Sequence, residues 1–342
     1  MYNIVEPKVE VCKASGLEKI ELIGKVCTKM EHTIKEGSAK TFVINRIQEG
    51  HNAILMHEFA YFDVSLVNIH IKRNLLLLCP YIKFSKHLNY IAINYRSLVD
   101  LMLSTKELLR RHTIIDFYDD VCDLFYSIFF QVEEFSSLFY DFDKVEFDFI
   151  NNGRNNIYYQ NIERVSSEHI LEVAPEIYIV TLKFTTDRGV SHEIVRHTIM
   201  AFMQESTRWC DYCKDRNGSS INIVTPFDDF SSDIDDASKL WYDTISTIGA
   251  TYKDLVKVHG WKAEQARSVL PNATKTEIYV TGTLEEWIGD EIDMEIGRLH
   301  IKESKGFLPQ RTAKQAHYQM KEVADMAESN IKEIYNIYAN NI

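Results

Sequence analysis

Apolar positions along the 342-residue chain change period several times, and each change predicts an element. Residues 1–36 are mixed. In "EGSAKTFVINRIQEG", Val43, Ile44 and Ile47 share one face of a helix, which Gly50 interrupts. "EFAYFDVSLVNIHI" alternates in part, as a strand does, and "NYIAINYRSLVDLML" reads as strand, turn and helix. An acidic, aromatic stretch follows at 116–150. There Phe125, Phe129, Val132, Ser136 and Phe139 fall near helical spacing. They suit an amphipathic helix packed on the body, or else a partner-binding face with aromatic anchors. "NNGRNN" marks a turn or loop.

The second half is more regular. "PEIYIVTLKFTTDRG" predicts a strand ending in a turn at Gly189. "VSHEIVRHTIMAFMQES" then reads as a helix with Ser191 as its N-cap. "INIVTPF" is a strand, and residues 233–260 form a helix stopped at Gly260. "KAEQARSVLP" is a short helix stopped by Pro271, "TKTEIYVTGT" a strand, and 312–339 a long closing helix. The charged segment 289–306 has no clear period. No internal repeat or low-complexity linker divides the chain.

Composition narrows the classes of function. At 45% hydrophobic, the chain can bury a large core. A formal charge of −12 repels nucleic acid polymers and anionic membrane, so a phosphate-bearing ligand needs a local basic pocket. A free nucleotide suits that better than a polymer. The charged start "MYNIVEPKVEVCKASG" does not read as a signal peptide, and "NLLLLCPYI" is too short to span a bilayer. Six sparse cysteines suit reduced thiols in a cytoplasmic protein. Cys210 and Cys213 form a C-x-x-C without the second ligand pair a zinc site needs, so no metal is expected.

The densest chemistry lies in "RHTIMAFMQESTRW", residues 196–209. On the expected helix, Arg196, Met200, Gln204 and Arg208 share a face, while Ile194, Val195, Ile199 and Phe202 enter the core. Ser206, Thr207 and Arg208 fall where the helix ends or turns. Two guanidiniums beside hydroxyls and backbone amides make a phosphate clamp, since forked donors match phosphate oxygens. A solvated face with ordinary ion pairs is the competing explanation. Arg267 stands beside a helix-ending proline, and Arg311 at the entrance to the last helix.

Four blocks together, "DRGVSHEIVRH…QESTRW", "GHNAILMHEFAYF", "WKAEQARSVLPNATKTEI" and "QRTAKQAHYQMKE", resemble the flavin-dependent thymidylate synthases. The family signature is Arg-His-Arg, seven residues, then Ser. Here it stands as Arg196-His197-Thr198, seven residues, then Ser206. The resemblance covers roughly residues 35–72, 179–288 and 307–330. It implies an α/β body, a homotetramer with active sites between subunits, and bound FAD. It also implies methylation of dUMP at C5, with methylenetetrahydrofolate as carbon donor and NADPH as reductant. The whole chain, 1–342, would be one catalytic domain with insertions at about 74–178 and 289–306.

Residue by residue, the resemblance implies that Arg196, Gln204, Ser206, Thr207, Arg208 and Arg267 hold dUMP, chiefly its phosphate and sugar. Glu193 would line the same pocket. Arg311 would face the N3 and O2 edge of uracil, where a fixed positive charge favours the anionic ring and makes C5 a better nucleophile. His57 and His197 would touch the flavin, with Thr198 and Thr283 at flavin-side positions. Flavin would carry the one-carbon and hydride chemistry, so no protein nucleophile is needed. Ser206 has no evident activating base and is assigned to ligand binding.

The departures cluster on the flavin side. Thr198 replaces an arginine. In "TGTLEEW", Thr283 and Glu285 replace an expected asparagine and arginine. "INYRSLVDL" offers Asn94 and Arg96 as substitutes from the insertion. Two alternatives follow: a relative that modifies another pyrimidine nucleotide, and a nucleotide-binding protein that has lost flavin chemistry.

Overall fold

The computed structural model describes residues 2–79, 81–110, 124–125, 127–139, 162–214, 220–226, 235–289, 291–296, 299–304 and 306–339. The loop expected at 151–156, Cys122 and the outer parts of the aromatic stretch lie outside them.

The strands, in chain order, are β1 (Tyr2–Ile4), β2 (Lys8–Val11), β3 (Phe59–Asp63), β4 (Lys83–Phe84), β5 (Tyr90–Asn94) and β6 (Glu163–Val165), followed by β7 (Ile179–Asp187), β8 (Ala201–Gln204), β9 (Ile221–Ile223), β10 (Lys275–Thr283), β11 (Glu291–Ile296) and β12 (Leu299–Ser304). Helices and sheets are mixed throughout, as the expected class requires. One sheet has the order β2-β7-β10-β8 and a second the order β4-β5-β3-β6; both are antiparallel. β1 pairs with β9 in parallel. The charged segment 289–306 contains the hairpin β11–β12.

The first sheet is the frame of the site. β7 and β10 pair over nine residues, from Lys275 opposite Asp187 to Thr283 opposite Ile179. Alternation sends Val180, Leu182 and Phe184 to one face, where they meet Trp287, Phe307, Met320, Val323 and Ala327. The closing helix, Tyr318–Ala339, therefore covers that face. On the other face, Tyr279 packs with Ile23 and Val26 of the helix Gly16–Val26.

A second core joins the amino-terminal helices to the inserted segment. Leu17, Ile20, Val43 and Leu55 share it with Ile91, Leu98, Phe125, Phe129 and Phe135. Phe125, Phe129, Val132, Ser136 and Phe139 are all buried, so the helical spacing marks a core face rather than exposed anchors. No helix among the described residues is long and apolar enough to cross a membrane.

Expectations near the signature and at Arg311 need correction. The single helix expected over 190–206 is a helix Arg188–Ile194, a turn, and then β8. The free edge of β10 accounts for this: Ala201 to Gln204 pair with Thr281 to Ile278, and sheet pairing overrides a pattern that also fits a helix. The N-cap is Asp187, whose Oδ1 accepts from Val190 N at 2.8 Å, rather than Ser191, and Gly189 lies inside the helix. Arg311, in turn, closes a separate short helix, Phe307–Arg311, ahead of the last one.

Trp287 joins these parts. It has no exposed surface, donates its indole N–H to Val180 O at 3.2 Å, and packs against Phe184 and Phe307. Trp287→Ala should lower the unfolding free energy by about 3–5 kcal/mol in a urea titration, the usual cost of emptying so large a buried site. A loss below about 1 kcal/mol would contradict the central place given to Trp287 in this core.

Candidate functional site

Three chain segments converge on one guanidinium. The helix Arg188–Ile194 ends beside Glu193, the turn after it carries Arg196 and His197, and the helix Phe307–Arg311 brings Arg311. Arg311 Nε donates to His197 Nε2 at 2.9 Å. One terminal nitrogen donates to Glu193 Oε2 at 3.2 Å and the other to the Glu193 carbonyl at 2.8 Å. The Arg311 side chain is only 16% exposed. The Phe307 ring centroid lies 4.8 Å from that of His197. Burial, and then the charge of Arg311, push the imidazole down to about 4. Burial also lowers Arg311; the Glu193 carboxylate works against this, and the positive charge of Arg196 adds to it.

A second group of polar atoms forms where β8 ends. Gln204 Nε2 donates to Ser191 Oγ at 2.7 Å and to Thr276 Oγ1 at 3.1 Å. Ser206 then begins a turn: its N–H donates to Cys27 O at 3.0 Å, and its Oγ accepts from Arg208 N at 3.3 Å. Thr207 is buried, while Arg196, Arg208 and Arg267 are exposed. Under the turn lies Glu205, fully buried, with Lys29 and Lys275 each at 3.4 Å and the Tyr212 hydroxyl donating to it at 3.0 Å. Arg188 donates to the Glu205 carbonyl at 3.5 Å.

Sequence reading did not find this support. Glu205 stood inside the signature, but Lys29, Lys275 and Tyr212 carry no local signal that would join them to it.

The flavin-side positions are placed differently. His57 has no exposed surface; its Nδ1 lies 2.7 Å from Thr281 Oγ1, which lies 2.8 Å from Thr181 Oγ1. Burial, and then Lys19, push His57 down to about 3. Thr283 is buried and caps the helix Leu284–Ile288, its Oγ1 accepting from Glu286 N at 3.1 Å. Thr198 is exposed. Asn94 Oδ1 accepts from the backbone and hydroxyl of Ser97, each at 2.8 Å, and Arg96 pairs with Asp100 at 2.7 Å. Cys210 and Cys213 are buried and free, and burial raises the Cys210 thiol to about 12.

The comparisons with known proteins point the same way as the signature. The family model described as thymidylate synthase complementing protein matches residues 150–293. The resemblance to the flavin-dependent thymidylate synthases is borne out. The flavin-dependent thymidylate synthase of Mycobacterium avium (strain 104) is 28% identical over 162 residues, which cover 42% of this chain and 62% of that protein. The flavin-dependent thymidylate synthase of Geobacter sulfurreducens is 33% identical over 101 residues, 30% of this chain and 40% of that one. The chain thus spans less than two thirds of the length of these thymidylate synthases. Thymidylate synthase X of Helicobacter pylori, solved with FAD and dUMP, is 14% identical with a TM-score of 0.35, over 50% of this chain and 80% of that chain. The matched stretch holds Glu193 to Arg208, Arg267 and Thr283, and leaves His57 and Arg311 outside.

The two lowered imidazoles set an acid limit on stability. Between the ordinary 6.5 and the native values of about 3 and about 4, the unfolded chain binds protons that the native chain does not. Stability should therefore fall as pH drops from 6.5 toward 4, read as the urea midpoint. His57→Asn should show a shallower fall over that window. An unchanged slope would show that His57 does not contribute to it.

Proposed function

We propose that the chain binds dUMP and methylates it to dTMP in a flavin-dependent reaction. Methylenetetrahydrofolate serves as carbon donor and NADPH as reductant. The observation that carries this is the seating of Arg311 against Glu193 and His197, next to the matched signature. Arginine has five N–H donors, and three are used here, so one on each terminal nitrogen is left for a ligand. These donors and the positive charge suit the acceptors on the edge of an ionised uracil. That charge stabilises the anion, which makes C5 more nucleophilic. Arg196, Arg208 and Arg267, exposed and without ion pairs among the described residues, suit the phosphate, with Ser206 and Thr207 at the turn. Gln204, between Ser191 and Thr276, suits the sugar.

On this reading the nucleotide side supplies donors for the base, the sugar and the phosphate. On the flavin side, His57 is sealed and Thr283 is committed to a helix cap. No flavin contact is assigned to either. Thr198 and the open part of His197 keep surface for one. A homotetramer with active sites between subunits belongs to the same proposal, as do a cytoplasmic setting and a single catalytic domain with two insertions.

The sealed His57 and the acidic Glu285 also favour a second reading, in which the nucleotide site survives and flavin chemistry is lost. The visible spectrum of the purified protein with FAD, before and after dUMP, separates the two. A bound-flavin spectrum that shifts with dUMP, together with dTMP formation, is the expected result. Bound dUMP with no flavin under any condition would select the second reading. Arg311→Ala should abolish dUMP turnover with folding intact; unchanged turnover would reject its role at the ring.

A further inference from the structure

We propose that His197 is a positioning residue, whose neutral imidazole accepts the Nε–H of Arg311 and fixes the plane of its guanidinium against a bound pyrimidine base. This deepens the function proposed above and rests on its placing of Arg311 at the base. The resemblance implied a flavin contact for His197. The structure commits its Nε2 elsewhere, to Arg311 Nε at 2.9 Å.

The geometry is that of a three-point hold. Glu193 takes one donor from each terminal nitrogen of Arg311, through its carboxylate at 3.2 Å and its carbonyl at 2.8 Å. Those two contacts come from one residue and grip one end of a planar group. The bond to His197 grips Nε, at the other end, and so fixes the angle of the plane. A planar guanidinium meets a ring edge in register only when that angle is set. Phe307, on the same short helix as Arg311, lies against the imidazole with centroids 4.8 Å apart and planes at 53°. Arg311 and the ring that holds it are thus locked by one packing unit.

The hydrogen bond also dictates the chemical form of the ring. Nε2 can accept only when it carries no proton, so the ring proton must sit on Nδ1. A protonated ring would set two cations face to face. Burial and the guanidinium both oppose that form.

Two measurements on the full-length protein test the proposal. The first is the nitrogen-15 histidine spectrum at neutral pH, with His197 assigned by the signal lost in His197→Gln. The expected result is a neutral Nδ1–H tautomer whose Nε2 resonance moves in Arg311→Ala. The second is calorimetric titration with dUMP. His197→Ala should weaken binding by roughly tenfold or more, the loss typical of a hydrogen bond to a charged group. His197→Gln, whose side-chain oxygen can accept the same N–H, should stay within about threefold of the unaltered protein. That rescue is what a purely structural or flavin-contact role would not produce. An Nε2–H or charged ring at neutral pH, unchanged dUMP affinity in His197→Ala, or equal losses in both variants would overturn the proposal. If the unaltered protein binds no dUMP, the function proposed above fails, and the tautomer alone decides the role of His197.

Discussion

The nine-residue pairing of β7 with β10 is the constraint on which the site depends. Because the strands run antiparallel, the end of β7 lies beside the start of β10. Asp187 caps the helix Arg188–Ile194 there, next to Lys275. At the opposite end Thr283 caps the helix Leu284–Ile288, which places Trp287 under the sheet. Phe307 packs on Trp287 and His197 packs on Phe307, so the position of Arg311 is passed back from the far end of the strand pair. The guanidinium is held by parts that the sheet alone brings together.

A second constraint is the line of charge beneath the signature turn. Lys29 and Lys275 flank Glu205, Lys275 also meets Glu277, and Lys183 reaches Glu277 at 2.7 Å. Burial opposes the charge on Glu277, but Lys275 and Lys183 outweigh it and hold the carboxyl at about 2. Buried ion pairs contribute little net stability when complete, yet removing one member leaves an uncompensated charge. Their consequence here is geometric. Glu205 ties the start of the turn to β10 and to the loop after the first long helix, so Ser206 and Arg208 project from a fixed base. The turn that would meet a phosphate is therefore built before any ligand arrives.

Much of the fold was legible wherever one periodicity dominates. The strands at 179–187 and 275–283, the helices at 38–48 and 236–257 and the closing helix follow apolar spacing and capping residues. The run at 199–204 was not legible, because AFMQ fits a helix locally and becomes a strand only when β10 offers an edge. In the site, the arginines and the signature were visible as residue types. The link from Arg311 to His197 and Glu193 was not, since it joins positions 114 and 118 residues apart. The sealing of His57 was equally invisible. Thr281 and Thr181 are unremarkable in sequence, and only the sheet sets them against the imidazole.

The central claim is that this chain carries a preformed site for a pyrimidine nucleotide, with Arg311 at the base and exposed arginines at the phosphate. Equilibrium binding of dUMP and of deoxyuridine to the full-length protein, without flavin, tests it most directly. The account predicts saturable binding of dUMP and much weaker binding of the nucleoside, with the difference shrinking as salt is added. Equal affinities for the two, or no binding of either, would contradict it.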